Sequence, residues 1–272
     1  MKYFDFQSKS RKSLPSTVPS IKARCYHSAV SVGCNLFVAG SAYGYDSSLY
    51  RYDTQSNVWE MKEFSSDAYS VNNLCVLGDY IYAISSHSGQ VPQRYNITKR
   101  QWQSIAKLNT NCTYQACNFG SIVHSKVKIF VLCGDMCSAE GKYKQAVLQC
   151  FDPAKNEWEE MGTTCYPHFG SRLFEVNGKL CVAGGYCYLL NGLSPGRTPA
   201  PVEIFNEETN TWSVVEQKRI PANHLNAVEV DGKLYFIIND FLVDSGIRIP
   251  PGELYPVPLG EWGNLGNVVS IL

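Results

Sequence analysis

Imidazoles bind metals and move protons near neutral pH, so the five histidines are the first residues from which chemistry would be expected. His27, His87, His124, His168 and His224 stand far apart, with no His-x-x-x-His or related spacing to place two ligands on one metal. His27, His168 and His224 fall near the entries of predicted strands, where a ring of imidazoles could hold a metal. The plainer expectation is that each caps a loop or lines a channel through ordinary hydrogen bonds. The eleven cysteines lie between Cys25 and Cys187 without a regular framework. Neither Cys112 with Cys117 nor Cys133 with Cys137 makes the Cys-x-x-Cys of a zinc ribbon or a redox site. They are expected to be free core or loop thiols, as in a reducing, intracellular setting. The chain has no Gly-x-Ser-x-Gly, no phosphate-binding Gly-Lys-Ser/Thr and no dinucleotide fingerprint. No catalytic residue, no metal and no cofactor is therefore expected, and the protein is read as a non-enzyme.

Charge and hydropathy exclude further classes. Lys plus Arg number 24 against 24 Asp plus Glu, so the basic footprint of a nucleic-acid binder is absent. The short run Lys9-Ser10-Arg11-Lys12 reads as a solvated turn. No apolar stretch is long enough to make a membrane-spanning helix. The opening Met1-Lys2-Tyr3-Phe4-Asp5-Phe6 lacks a signal-peptide core. Without one, Asn96-Ile97-Thr98 and Asn111-Cys112-Thr113 are read as chance matches to the glycosylation pattern. A cytoplasmic protein is expected.

The elements that must position any site are repeats. Each of the five tryptophans follows an aromatic residue by seven positions: Tyr52 and Trp59, Tyr95 and Trp102, Phe151 and Trp158, Phe205 and Trp212, Tyr255 and Trp262. Polar turn formers lie between, as in Asp152-Pro153-Ala154-Lys155-Asn156, so each unit predicts strand, tight turn, strand. Phe4 and Arg11 make a weaker opening copy, with Arg11 at the tryptophan position. The anchors recur about every fifty residues, the period of one propeller repeat class. The first half of each unit predicts a second hairpin, for example Leu173-Phe174-Glu175-Val176, the turn Asn177-Gly178, then Leu180-Cys181-Val182-Ala183-Gly184-Gly185. Its second strand is apolar throughout, as expected where sheets pack on both faces. Four strands per repeat, arranged radially, make a propeller blade.

Over essentially its whole length the chain resembles the kelch family, whose repeat has a hairpin turn, a glycine pair, then Tyr-Asp and a tryptophan seven residues after the Tyr. Gly184-Gly185 keeps the full pair, Gly40 and Gly134 keep part of it, and Ile84-Ser85 and Ile238-Asn239 replace it. The expectation is one all-β domain over residues 1–272: a six-bladed kelch β-propeller with four-stranded antiparallel blades anchored at Arg11, Trp59, Trp102, Trp158, Trp212 and Trp262. The first blade is closed by both chain ends, Tyr3 to Leu14 giving its outer strands and Asn267 to Leu272 one inner strand. One strand is left unaccounted for: either this blade has three strands or, the favoured expectation, the polypeptide extends upstream of Met1.

In the kelch-like family such a propeller follows BTB and BACK domains and recruits substrates to a cullin-RING ubiquitin ligase. The resemblance thus implies a substrate-recognition module, with a protein or peptide as ligand and a cullin engaged through a BTB domain outside this chain. An actin-binding cytoskeletal scaffold is the alternative. A copper-oxidase-like propeller is a third reading, resting on fold alone because the ligand-bearing loops of such enzymes are not reproduced. By strand parity the loop between second and third strands leaves on the same face as the blade-to-blade links, and it varies most there: residues 40–46, 186–199 and 240–251. Binding concentrates on such loops. The expected partner site comprises Tyr45, His87, Tyr114, His168, Arg172, Tyr188, Arg197, His224 and Arg248, with Arg24 and Asn111 at blade entries. Arg172 and Arg197 are the expected anchors, fitting a partner with an acidic or mixed acidic-apolar segment.

Overall fold

The computed structural model describes residues 2–5, 10–13, 25–41, 48–63, 71–85, 91–109, 121–125, 127–133, 145–176, 178–189, 196–219, 226–230, 233–237 and 254–255. The fold is an all-β propeller. An opening hairpin pairs β1 (Lys2–Asp5) with β2 (Ser10–Ser13). The Trp59 blade runs β3 (Cys25–Val32), β4 (Asn35–Ser41), β5 (Ser48–Asp53), β6 (Val58–Glu63). The Trp102 blade runs β7 (Val71–Leu77), β8 (Tyr80–Ser85), β9 (Gln93–Asn96), β10 (Gln101–Ser104). The Trp158 blade runs β11 (Ser121–Ser125), β12 (Lys128–Cys133), β13 (Val147–Asp152), β14 (Glu157–Thr163). The Trp212 blade has β15 (Phe169–Val176), β16 (Lys179–Leu189), β18 (Pro201–Asn206) and β19 (Thr211–Arg219), with β17 (Gly196–Pro199) pairing the far end of β16. A last sheet joins β20 (Asn226–Val230), β21 (Lys233–Ile237) and β22 (Leu254–Tyr255).

The described residues therefore contain four complete four-stranded blades, not the six expected. The opening hairpin contributes two strands and the last sheet three. Phe4 does pair with Arg11 in the register that joins Tyr52 to Trp59 in a complete blade. Trp262 and the tail that was expected to close the ring lie outside the described residues.

The seven-residue spacing follows from one turn. Its first residue is Asp53, Asn96, Asp152 or Asn206, whose side-chain oxygen accepts backbone amides two or three residues on, as Asp152 does from Ala154 at 2.9 Å and Lys155 at 3.3 Å. The turn closes in the left-handed region at Asn57, Arg100, Asn156 and Asn210, with φ of 55–59°. Asparagine tolerates that conformation better than most side chains. The aromatic and the tryptophan then pair directly across the strands, with ring centroids 4.8–5.1 Å apart in all four blades.

The same asparagine and tryptophan bind neighbouring blades together. The Trp158 indole donates to the Ala106 carbonyl at 2.8 Å, while the Ala106 amide donates to the Asn156 side chain at 3.1 Å. One blade on, Trp212 donates to the Gly162 carbonyl at 3.1 Å and the Gly162 amide to Asn210 at 2.8 Å. Ala106 and Gly162 hold the same place, four residues beyond their own blade's tryptophan. At Gly162 an added methyl would collide with the Asn210 carbonyl oxygen.

Apolar second strands are buried on both faces. In β8, Ile81 and Ala83 pack toward the Trp59 blade while Tyr82 and Ile84 pack toward the Trp158 blade. In β12, Ile129 and Val131 face one neighbour and Phe130 and Leu132 the other. Burial between blades was expected of every tryptophan. Trp158 and Trp212 are buried at 6% exposure, but Trp59 and Trp102 are only half-buried. Arg100 occupies the asparagine position before Trp102, so that blade lacks the amide oxygen of the clamp.

Trp158→Ala should lower unfolding free energy by roughly 3–5 kcal/mol in urea titrations, the range for deleting a large buried aromatic. Gly162→Ala should cost about 1–3 kcal/mol through overpacking. An effect below about 0.5 kcal/mol for the tryptophan would place it at the surface.

Candidate functional site

Two stretches of backbone build the face from which the second-to-third connections leave. One is the link from β14 to β15. Thr164 fixes its start: its amide donates to the Ala146 carbonyl at 2.9 Å, and its hydroxyl accepts from the Ala146 amide at 2.8 Å. Glu203 on β18 then gathers the rest. The Cys165 amide donates to one carboxylate oxygen at 2.6 Å, and the Tyr166 amide to the other at 2.9 Å. His168 Nε2 lies 2.9 Å from that second oxygen, and Nδ1 lies 3.3 Å from the Gly184 carbonyl. Neither the His168 nor the Glu203 side chain is exposed.

Burial alone would raise the Glu203 pKa. The hydrogen bond and charge of His168, with the two backbone amides, outweigh it and hold the carboxyl below its ordinary value. Beside it the Cys165 thiol is pushed up to about 11, by burial first and then by the Glu203 charge. That thiol is protonated at neutral pH, and both nitrogens of the imidazole are already engaged. The cluster has the residue types of a Cys–His–Glu site and the bonding of a structural staple.

The second stretch is β16. At Gly184 and Gly185 the chain takes φ of 71° and 75°, a region that disfavours side chains. Before them Cys181 and Val182 pair with β18. After them Tyr186 to Leu189 pair with β17 instead. The segment 186–199, expected to be an irregular loop, is therefore largely a two-stranded ribbon that continues past the blade. Its base is closed by the Ala200 amide donating to the Gly185 carbonyl at 2.9 Å.

Of the expected partner-site residues, His168 is buried against Glu203, and Arg172 is half-buried on the inner strand β15. Tyr188 and Arg197 are direct register partners across the ribbon. Arg24, Tyr45, His87, Asn111, Tyr114, His224 and Arg248 lie outside the described residues. Glu203 was missed, though the repeats carried a signal for it. Two positions before the blade aromatic stand Tyr50, Gln93, Gln149 and Glu203, all buried, and Glu203 is the one carboxylate. Among the described residues no cluster of three His, Cys, Asp or Glu could hold a metal, and no helix is long and apolar enough to cross a membrane. Cys34, Cys75, Cys133, Cys150, Cys165 and Cys181 are free thiols.

Because the folded Glu203 pKa is depressed, its contribution to stability is complete above the ordinary carboxylate pKa and disappears as pH falls through the folded value. Glu203→Ala should cost roughly 3–5 kcal/mol at neutral pH, leaving His168 and two amides without their acceptor. The gap from wild type should shrink in urea titrations at about pH 3, near the carboxylate range. A gap independent of pH would deny that the ionised form holds the link.

No protein-family profile matches the chain. Human Kelch-like protein 15 is 24% identical over 230 residues, covering 76% of this chain and 37% of that protein. Human Kelch-like protein 23 is 26% identical over 207 residues, covering 73% of this chain and 34% of that protein. An F-box/kelch-repeat protein of Arabidopsis thaliana is 22% identical over 218 residues, with 79% of this chain and 55% of that protein covered. The chain thus spans little more than a third of the length of these kelch-like relatives. The chain is a β-propeller of four-stranded blades with aromatic–tryptophan hairpins, and its homologues are Kelch-like and F-box/kelch-repeat proteins, as the kelch-repeat pattern leads one to expect.

Proposed function

We propose that this propeller is the partner-recognition module of a larger adaptor, which presents a bound protein or peptide to a cullin-RING ubiquitin ligase in the cytoplasm. A BTB domain outside this chain would engage the cullin. Homology to kelch-like proteins supports the reading at the level of protein interaction. The observation that carries the site is the ribbon of β16 and β17, which extends the Trp212 blade on the face of the second-to-third connections and pairs Tyr188 with Arg197. Tyrosine and arginine are enriched among the residues that dominate interfaces. The two incomplete sheets suit one ring: the opening hairpin and the last sheet together with the chain ends would make the fifth and sixth blades. Closure by the tail would cover an inner sheet edge otherwise open to stray pairing.

The test is partner capture from cell lysate by the full chain and by a version with residues 186–199 replaced by a short Gly-Ser turn. The Gly185–Ala200 hydrogen bond makes that excision compatible with the blade. Captured protein should fall at least tenfold on excision with the melting temperature nearly unchanged, and should accumulate in cells when cullin activation is blocked. Undiminished capture after excision, or capture abolished only by changes in the opposite turns such as Asp53 to Asn57, would overturn the assignment of this face.

A further inference from the structure

Charge is spread unevenly over this neutral chain. Between Asp79 and Asp135 stand six Lys and Arg and no Asp or Glu. That stretch builds most of the Trp102 blade and the first half of the Trp158 blade. In the Trp102 blade, Lys99 and Arg100 are exposed in the turn before β10, and Lys107 is exposed three residues beyond its end. Among the described residues none of the three forms an ion pair. The one carboxylate described in this blade, Asp79, sits in the turn between β7 and β8, where its main-chain carbonyl accepts the Ile97 amide at 3.0 Å.

The strand between these cations differs from its counterparts. Strand edges that face water are commonly guarded by charged side chains, which oppose stray pairing. In the other complete blades the outer strands β6, β14 and β19 carry three charged residues each. β10 reads Gln-Trp-Gln-Ser and carries none, although all but Trp102 are exposed. Its inner edge pairs with β9, and among the described residues no strand pairs with its outer edge. The sheet's own cation is already occupied with neutral groups. Arg94 on β9 donates to Gln103 Oε1 at 3.1 Å, and its guanidinium lies 4.5 Å from the centre of the Tyr80 ring. β10 is thus an uncharged edge framed by positive charge at both ends.

We propose that the outer edge of β10 is a second docking surface, for an extended acidic segment of a partner protein that adds to the blade as a fifth strand. The site lies on the rim of the propeller and does not depend on the loop-face reading above. Main-chain hydrogen bonds hold the segment along β10, and its terminal carboxylates meet Lys99 and Arg100 at one end and Lys107 at the other. Arg100 and Lys107 are seven residues apart, at most about 25 Å of chain, so a segment of about eight residues spans them. Glu157, Glu159 and Glu160 on β14 repel the same segment from the adjoining blade. A nucleic-acid strand carries the negative charge but no peptide amides to pair with the edge, so a protein strand is the better fit.

The probe is a capped octapeptide, Glu-Glu-Thr-Val-Thr-Val-Glu-Glu, titrated into the isotope-labelled full chain while the main-chain amide signals of Gln101 to Ser104 are followed. These should shift saturably and gain protection from hydrogen exchange, and added salt should weaken the response. The same peptide with glutamine for every glutamate, or with proline for its central valine and threonine, should bind at least tenfold more weakly. Lys99→Glu combined with Lys107→Glu should weaken binding at least tenfold and leave the melting temperature nearly unchanged, since both side chains are exposed. Gln101→Glu, which places a guarding charge on the edge, should weaken it as well. If a variant does not fold, the wild-type titrations decide the question. Unmoved β10 amides, an equal response to the glutamine or proline peptide, or tighter binding of an oligothymidylate of the same length would overturn the proposal. Excision of residues 186–199 should leave peptide binding intact, and its loss on excision would place the peptide on the loop face and refute the rim site. If the peptide binds at β10 while excision leaves partner capture undiminished, the rim site stands and the assigned loop face fails.

Discussion

An indole ring buried between two sheets brings with it a hydrogen that must be donated somewhere, and the order of the blades follows from where it goes. In the Trp158 and Trp212 blades the acceptor is a main-chain carbonyl in the preceding blade, at Ala106 and Gly162. The amide of that same residue turns back to an asparagine two places before the tryptophan. Two hydrogen bonds to one residue fix translation and rotation between neighbouring blades, whereas the apolar clusters between them resist only separation. The asparagine can serve both neighbours because it also closes its own turn in the left-handed region. One short polar segment thus shapes a hairpin and sets the next blade.

This clamp belongs to the turns between third and fourth strands, so the opposite face is free of it. There a different solution appears. The link into the Trp212 blade is held by a buried carboxylate that takes two amides and an imidazole, and the adjoining strand escapes its blade at a pair of left-handed glycines. Glu203 thus ties down the link that enters β15 through His168, the residue just before that strand.

Much of the fold was legible because its determinants are local. The aromatic, the Asx turn, the left-handed asparagine and the tryptophan occupy eight consecutive positions, so their spacing survives in the sequence and their pairing follows at Tyr52–Trp59 and its copies. The hairpins at Gly33, Gly78 and Gly178 were equally plain, each with a glycine at positive φ. What escaped was non-local. Glu203 meets His168 across 35 residues, and nothing near either one announces the other. His168 therefore read as a mouth residue, although its ring is buried. The segment 186–199 read as a loop because its strand partner is supplied by its own return, after leucines and a Ser-Pro-Gly stretch that give no hairpin signal. Which tryptophans are buried was not legible from the turn either, since Trp59 is half-buried after Asn57 just as Trp102 is after Arg100, while Trp212 is buried after Asn210.

Hydrogen exchange of the indole N–H groups, resolved by nuclear magnetic resonance, tests the clamp most directly, since five tryptophans give only five signals. If the inter-blade bonds hold the ring together, the Trp158 and Trp212 indole hydrogens exchange only through global unfolding, and their exchange free energy equals the stability measured with denaturant. The half-buried Trp59 and Trp102 exchange sooner. Rapid exchange at Trp158 and Trp212 in a protein that remains folded would contradict the account, leaving apolar packing alone to hold the blades in register.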